Sequence, residues 1–285
     1  MPEKREFFDY KVEDKYQQRE IARKENYILY SLTFSSPMQI PFTENKTIYG
    51  RYYKPIKSDR AAILILHGLE GELSARYFSS SLAKKGFSCL QIAMPYARRR
   101  IPPNKCKYLG NRRIDFSEIF ATGFKQAVLD IRRTTDWLSN RYKKIGILWT
   151  SLGAIIASLA AEVDGRFNSA VYILGGGDPA NILWDSKDFL VKFYKNILQR
   201  NISLENLEGK WKVIDPLNYI RGNVRNILMI NARYDRTILP KYTEKLWNAL
   251  GRPEIKWLRA THFTTSFYIL FIQKEVEKYF RKTLT

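Results

Sequence analysis

The chain has 285 residues, 45% of them hydrophobic and 14% aromatic, which excludes wholesale disorder and allows one large domain or two small ones. Its formal net charge is +20. That balance attracts anionic ligands or surfaces, yet no RNP motif, zinc-finger spacing or glycine-rich phosphate loop accompanies it. No apolar run reaches the length of a bilayer span, and the first residues lack the apolar core of a secretion signal. Cys89 and Cys106 give neither a disulfide framework nor metal-ligand spacing, so a cytoplasmic protein without metal or cofactor is expected.

Residues 1–26 hold seven basic and seven acidic side chains around Phe7, Phe8, Tyr10 and Tyr16. This predicts a solvated N-terminal helix or arm that docks a few aromatics. Tyr27–Phe34 and Thr47–Tyr53 are rich in β-formers and are separated by the turn-like Ser35-Ser36-Pro37. They are expected to pair antiparallel at one edge of a sheet. Ala61–Leu66 is apolar at every position, the pattern of a strand covered on both faces. It runs into His67-Gly68-Leu69-Glu70-Gly71, after which Ser74 is expected to cap a helix through Ala83 that Gly86 ends. The next strand is Phe87–Pro95. A loop from Arg98 to Arg113 then carries seven basic residues and no acid. A solvated loop and a site for an anionic substrate both fit it.

Phe120, Phe124, Val128, Ile131 and Leu138 recur at helical spacing and predict a helix over Phe116–Tyr142. Lys144–Thr150 is a β-branched run that stops at Ser151, and a helix towards Val163 follows at once. Asn168–Leu174 is the next strand, the sixth in this count. The alternation then pauses at 178–221, where Trp184, Phe189, Phe193, Tyr194 and Trp211 sit on helix-like segments. These aromatics either seat that insertion on the core or line a pocket for an apolar acyl group. Strand Asn226–Asn231, helix Pro240–Leu250, strand Glu254–Leu258 and a last helix over about 266–282 complete the chain. Alternation of strand and helix from residue 61 onward implies a mostly parallel sheet with right-handed crossovers. The expected division is an N-terminal segment 1–26, a core of 27–177 and 222–285, and a helical cap at 178–221.

Strand, sharp turn, helix with a hydroxyl at the apex is the layout of a nucleophile elbow, G-x-S-x-G. Gly153 supplies the second glycine, but Trp149 replaces the first. A serine at this place can equally be a plain helix N-cap. A serine hydroxyl becomes nucleophilic only when a base takes its proton. The sequence has two histidines, and His262 lies just past the last strand, on the same sheet edge as Ser151. Asp235 follows the preceding strand, where a turn aspartate is also common. Asp178 and Asp215 compete with it for the carboxylate role.

The order Ser151, Asp235, His262, each after its own strand, together with His67–Gly71, resembles the α/β-hydrolase fold enzymes, in particular carboxylesterases of the dienelactone-hydrolase-like kind. The resemblance runs from about residue 45 to the C-terminus. It implies an α/β fold with a mostly parallel sheet, an antiparallel N-terminal edge, helices on both faces and a helical cap insertion after the sixth strand. It further implies Ser151 as nucleophile, His262 as general base and Asp235 as its carboxylate. The backbone N–H groups of Leu69 and Leu152 would form the oxyanion hole, with His67 bracing the loop. The expected activity is cleavage of a small-molecule carboxylic ester, with thioester or peptide cleavage on the same residues as the alternative. A non-catalytic binding protein on the same scaffold is a second class. Nucleic acid or anionic membrane binding through 98–113 is not expected as the main role.

Overall fold

The computed structural model describes residues 6–11, 15–38, 40, 42–57, 61–66, 72–101 and 115–285. Strands β1 (Tyr16–Arg23), β2 (Tyr27–Ser35), β3 (Thr47–Pro55), β4 (Ala62–Leu66), β5 (Ser88–Ile92), β6 (Ile145–Thr150), β7 (Ser169–Ile173), β8 (Asn226–Ala232) and β9 (Glu254–Leu258) form one sheet. Their order is β1-β2-β3-β5-β4-β6-β7-β8-β9. β1, β2, β3 and β5 pair antiparallel in turn, and every pair from β5 through β9 is parallel. This is the expected mixed sheet, and β2 and β3 pair as the sequence implies, with Tyr30 opposite Tyr52.

β1 corrects the reading of residues 1–26 as helix or arm. All but one of its residues are exposed, so neither face carries the apolar alternation by which a strand is read. It forms because β2 offers an open edge, and its charged residues and the register shift between Glu20 and Ala22 suit an edge that must not recruit further strands. With β1 counted, the insertion follows the seventh strand.

The helices are α1 (Glu72–Ala83), α2 (Phe116–Ser139), α3 (Leu152–Asp164), α4 (Pro179–Asp185), α5 (Phe189–Leu198), α6 (Leu204–Trp211), α7 (Pro240–Ala249) and α8 (Ile269–Leu284). α1 begins two residues before Ser74, which therefore sits inside it. Alternate residues of the central strands go to opposite faces, as a pleated strand requires. Leu64, Ile147 and Trp149 join the core under α2, α3 and α7, whereas Ile63, Ile65 and Leu148 join the one under α1 and α8. Both faces are thus buried, which is why these strands are apolar throughout.

Helices α4 to α6 occupy the insertion between β7 and β8. Trp211 seats them: it is buried, stacks on Phe120 at 4.4 Å and donates its indole N–H to the Ser117 carbonyl at 2.9 Å. Phe189, Phe193 and Tyr194 instead face solvent. The basic stretch also divides. Arg100 is fully buried, paired with Asp130 at 2.7 Å and donating to the carbonyls of Ala93 and Asn45, so it is a core residue and not a solvated loop cation. Residues 102–114 lie outside the described residues. Among the described residues no helix is long and apolar enough to cross a membrane.

Candidate active site

β6 delivers Ser151 to the carboxyl edge of the sheet, where sites of open α/β sheets form. Its backbone is left-handed, φ 59° and ψ −132°, a conformation that costs a non-glycine residue of order 1–3 kcal/mol. The sheet holds it there: the Ser151 N–H donates to the Ile173 carbonyl on β7 at 2.8 Å, and the Ser151 carbonyl accepts from the Ala154 N–H at 2.7 Å. The side chain does not cap α3. Its Oγ lies 2.9 Å from His262 Nε2 instead. The N-cap alternative thus fails for the hydroxyl.

Trp149 fits the turn by pointing into the core under α3, fully buried. Its ring occupies the space where a side chain at position 153 would stand, since a Cβ there would lie 2.6 Å from Trp149 Cε3. Gly153 is therefore the residue that makes room for the tryptophan.

Asp235 is 4% exposed and serves two purposes. Oδ1 accepts the N–H groups of Thr237 and Ile238 at 2.8 and 2.9 Å, the expected aspartate turn. Oδ2 lies 2.8 Å from His262 Nδ1. With Nδ1 donating to this carboxylate, Nε2 is left as an acceptor for the serine O–H. The His262 loop is fixed by its neighbours: Thr264 Oγ1 accepts the Thr261 N–H, and Thr265 Oγ1 donates to the Thr261 carbonyl, each at 2.8 Å.

The competing acids are engaged elsewhere. Asp178 caps α4 and pairs with Lys245 at 2.6 Å. Asp215 accepts from the N–H groups of Leu217 and Asp178, and burial raises its pKa. A cavity of about 230 Å³ lies beside these two acids, lined also by Trp211 and Leu217, and brings no nucleophile to a base. Of the two expected oxyanion donors, the Leu152 N–H finds no acceptor among the described residues. Leu69 and His67 lie outside the described residues. Tyr234 and Phe263, the sequence neighbours of Asp235 and His262, are exposed, which nothing in the sequence signals.

The three side chains form one hydrogen-bonded row in which a buried carboxylate orients an imidazole and the imidazole faces a hydroxyl. Chemically, such a row can take a proton from the serine and return it elsewhere.

No protein-family model matches the chain, and no curated protein matches it by sequence. Solved structures are similar to it. An acetyl xylan esterase from Paenibacillus sp. R4 superimposes with a TM-score of 0.76 at 17% identity, over 98% of this chain and 92% of its own. Acetyl xylan esterase 1 from Thermoanaerobacterium sp. JW/SL YS485 gives 0.72 at 16% identity, over 96% and 92%. The acylaminoacyl peptidase of Pyrococcus horikoshii gives 0.68 at 17% identity, over 92% of this chain and 42% of its own. Identities this low speak to architecture, and on that evidence of shape this chain has the α/β-hydrolase fold.

Proposed function

We propose that this protein is a serine hydrolase that cleaves a carboxylic ester through an acyl-enzyme. The observation that carries the reading is the unbroken row from Ser151 Oγ through His262 to Asp235, at 2.9 and 2.8 Å. The serine proton passes to His262 Nε2 as Oγ attacks the acyl carbon. The buried Asp235 carboxylate stabilises the imidazolium so formed. His262 then gives the proton to the departing alcohol oxygen, and a water, deprotonated by the same nitrogen, releases the acid and regenerates Ser151.

The tetrahedral oxyanion would be held by the Leu152 N–H, reinforced by the positive end of α3, and by the Leu69 N–H. Losing one such donor costs about 3 kcal/mol of transition-state stabilisation. Residues 178–221 are read as the cap over this core, and the cytoplasm as the place of action. The ester reading draws support from the acetyl xylan esterases, matched over 92% of their own lengths. Thioester and amide cleavage use the same atoms, and a substrate panel separates them.

The test is covalent labelling with a fluorophosphonate. Wild type should label and Ser151→Ala should not. A folded wild type that stays unlabelled would remove the proposal.

A further inference from the structure

The edge that carries Ser151, Asp235 and His262 is bordered by apolar side chains that the fold leaves uncovered. Phe263 follows His262 directly, with ring centroids 5.8 Å apart. Phe263, Phe267, Leu270 and Phe271 recur at helical spacing on the outer side of the 3-10 turn Thr264–Tyr268 and of α8. Phe267 is 85% exposed and Leu270 65%. The opposite face of α8, with Ile272, Val276 and Phe280, is what binds the helix to the sheet. The outer residues are therefore not needed for packing.

A second exposed apolar segment stands on the insertion. Phe189 is 82% exposed at the start of α5, and Leu190 and Phe193 are exposed beside it. This segment is tied to the same edge, because the Lys187 N–H donates to the carbonyl of Arg236, the residue after Asp235, at 2.8 Å. Large apolar side chains left in solvent on two segments beside a site point to an interaction face.

The charge around it is predominantly positive. Residues 185–195, 233–241 and 259–274 together carry eight Lys or Arg and three Asp. Each aspartate is engaged: Asp235 with His262, Asp188 as the cap of α5, and Asp185 with Lys241. Arg233, Arg236, Arg259 and Lys274 are exposed. A second copy of the chain would set two such cationic rims against each other. A nucleic acid would meet the cations but gain little from Leu190 and Leu270. An anionic lipid surface takes up both the aromatic and aliphatic side chains and the cations.

We propose that the rim built from residues 187–193 and 263–271 docks this protein on an anionic lipid surface. The edge carrying Ser151 and His262 then faces the interface, so that the ester is presented from lipid. That last clause rests on the hydrolase reading; the docking does not. Anionic membrane binding was not expected as a main role, and the contact proposed lies on this rim and not on 98–113.

The test uses the full chain with vesicles of phosphatidylcholine alone, or of phosphatidylcholine and phosphatidylglycerol in equal parts, read by co-sedimentation. Wild type and Ser151→Ala should bind the anionic vesicles alike and the neutral ones weakly. The double variant Phe189→Ser/Phe267→Ser should bind roughly tenfold or more weakly, since two exposed aromatics lose their burial. Its circular dichroism and its turnover of a soluble p-nitrophenyl ester should be unchanged. Equal binding to both vesicle types, binding to neither, or full binding by the double variant overturns the proposal. So does a preference for a single-stranded oligonucleotide, or a dimer, that the same two substitutions abolish. Vesicle binding without any ester turnover would instead sink the hydrolase reading and leave the docking in place.

Discussion

Gly153→Ala is expected to destabilise the protein by about 1–3 kcal/mol, the range for overpacking a filled core. The new Cβ would stand 2.6 Å from Trp149 Cε3, 3.2 Å from Cδ2 and 3.3 Å from Cζ3. The indole has nowhere to retreat, being fully buried. The backbone is not the obstacle, because Gly153 lies inside α3 and outside the left-handed region. There alanine is intrinsically the better helix former by about 1 kcal/mol. The loss is therefore steric and should vanish when the ring is removed. Trp149→Val alone costs about 3 kcal/mol by leaving a cavity, but in that background Gly153→Ala should be neutral or stabilising. The cycle is measured by urea unfolding followed by far-UV circular dichroism. A coupling of about 2 kcal/mol is expected, whereas additivity within about 0.5 kcal/mol refutes the steric account. Turnover gives a second reading. If α3 relieves the clash by shifting its start, Ser151 moves from His262, and a displacement of about 1 Å lowers the rate about a hundredfold.

Asp235→Asn should lower kcat about 10⁴-fold by favouring the wrong imidazole tautomer, the effect known for the corresponding change in chymotrypsin-type proteases. Asp178→Ala should leave turnover intact, because Asp178 serves α4 and Lys245; a collapse in kcat would reassign the carboxylate. Arg100→Leu should cost about 3–5 kcal/mol by stranding buried Asp130, and Arg100→Leu/Asp130→Leu should recover much of it in thermal unfolding. Asp115→Ala removes the cap of α2 and should cost about 1 kcal/mol near neutral pH. Burial raises the Asp115 pKa, but hydrogen bonds from Lys210 and Ser117 and the Glu118 N–H outweigh it and hold the carboxyl at about 2. Its unfolded value is about 3.9. Wild type therefore keeps this contribution above about pH 4 and loses it as pH falls towards 2. The gap in stability between wild type and Asp115→Ala should close over that window in acid titrations followed by circular dichroism.

The central strands were legible because both of their faces are buried, and Ala61–Leu66 then has no polar residue to confuse the reading. β1 was not legible for the opposite reason: with almost every residue in water, its sequence YQQREIAR records no core. Ser151, Asp235 and His262 could be picked out because each follows a strand, and strand ends in a parallel sheet share one edge. Whether the hydroxyl turned to the helix or to the imidazole was open, since both uses require the same residue at the same place. For Asp235 the two candidate uses proved compatible, one per carboxylate oxygen. Arg100 misled because burial of an arginine depends on a distant partner, Asp130 on α2, that local sequence does not reveal. Exposure of Phe267 and Phe189 was hidden by the ordinary presumption that aromatics are packed.

The site is held by the backbone more than by its own side chains. Past the last paired residues of the strands, the parallel ladder continues: Ser151 N–H donates to Ile173, Leu174 to Ile230, Arg233 to Leu258 and Tyr234 to Ala260. These bonds run from β6 across β7 and β8 to the loop that ends in His262. They link the three loops whose side chains form the row, and they use only groups that any sequence carries. Leu174, at φ 54°, shares the left-handed strain of Ser151 on the adjacent strand end, and each is pinned by one of these bonds. A conformation of that cost persists only where its surroundings leave no alternative. Two expectations follow for the placement of change. Side chains on the rim, such as Phe267 and Arg236, are free to vary without moving Ser151. Residues that seal the ladder from behind, such as Trp149 under the turn, are not, so the tryptophan that replaces the elbow's first glycine acts as a support of the strained serine.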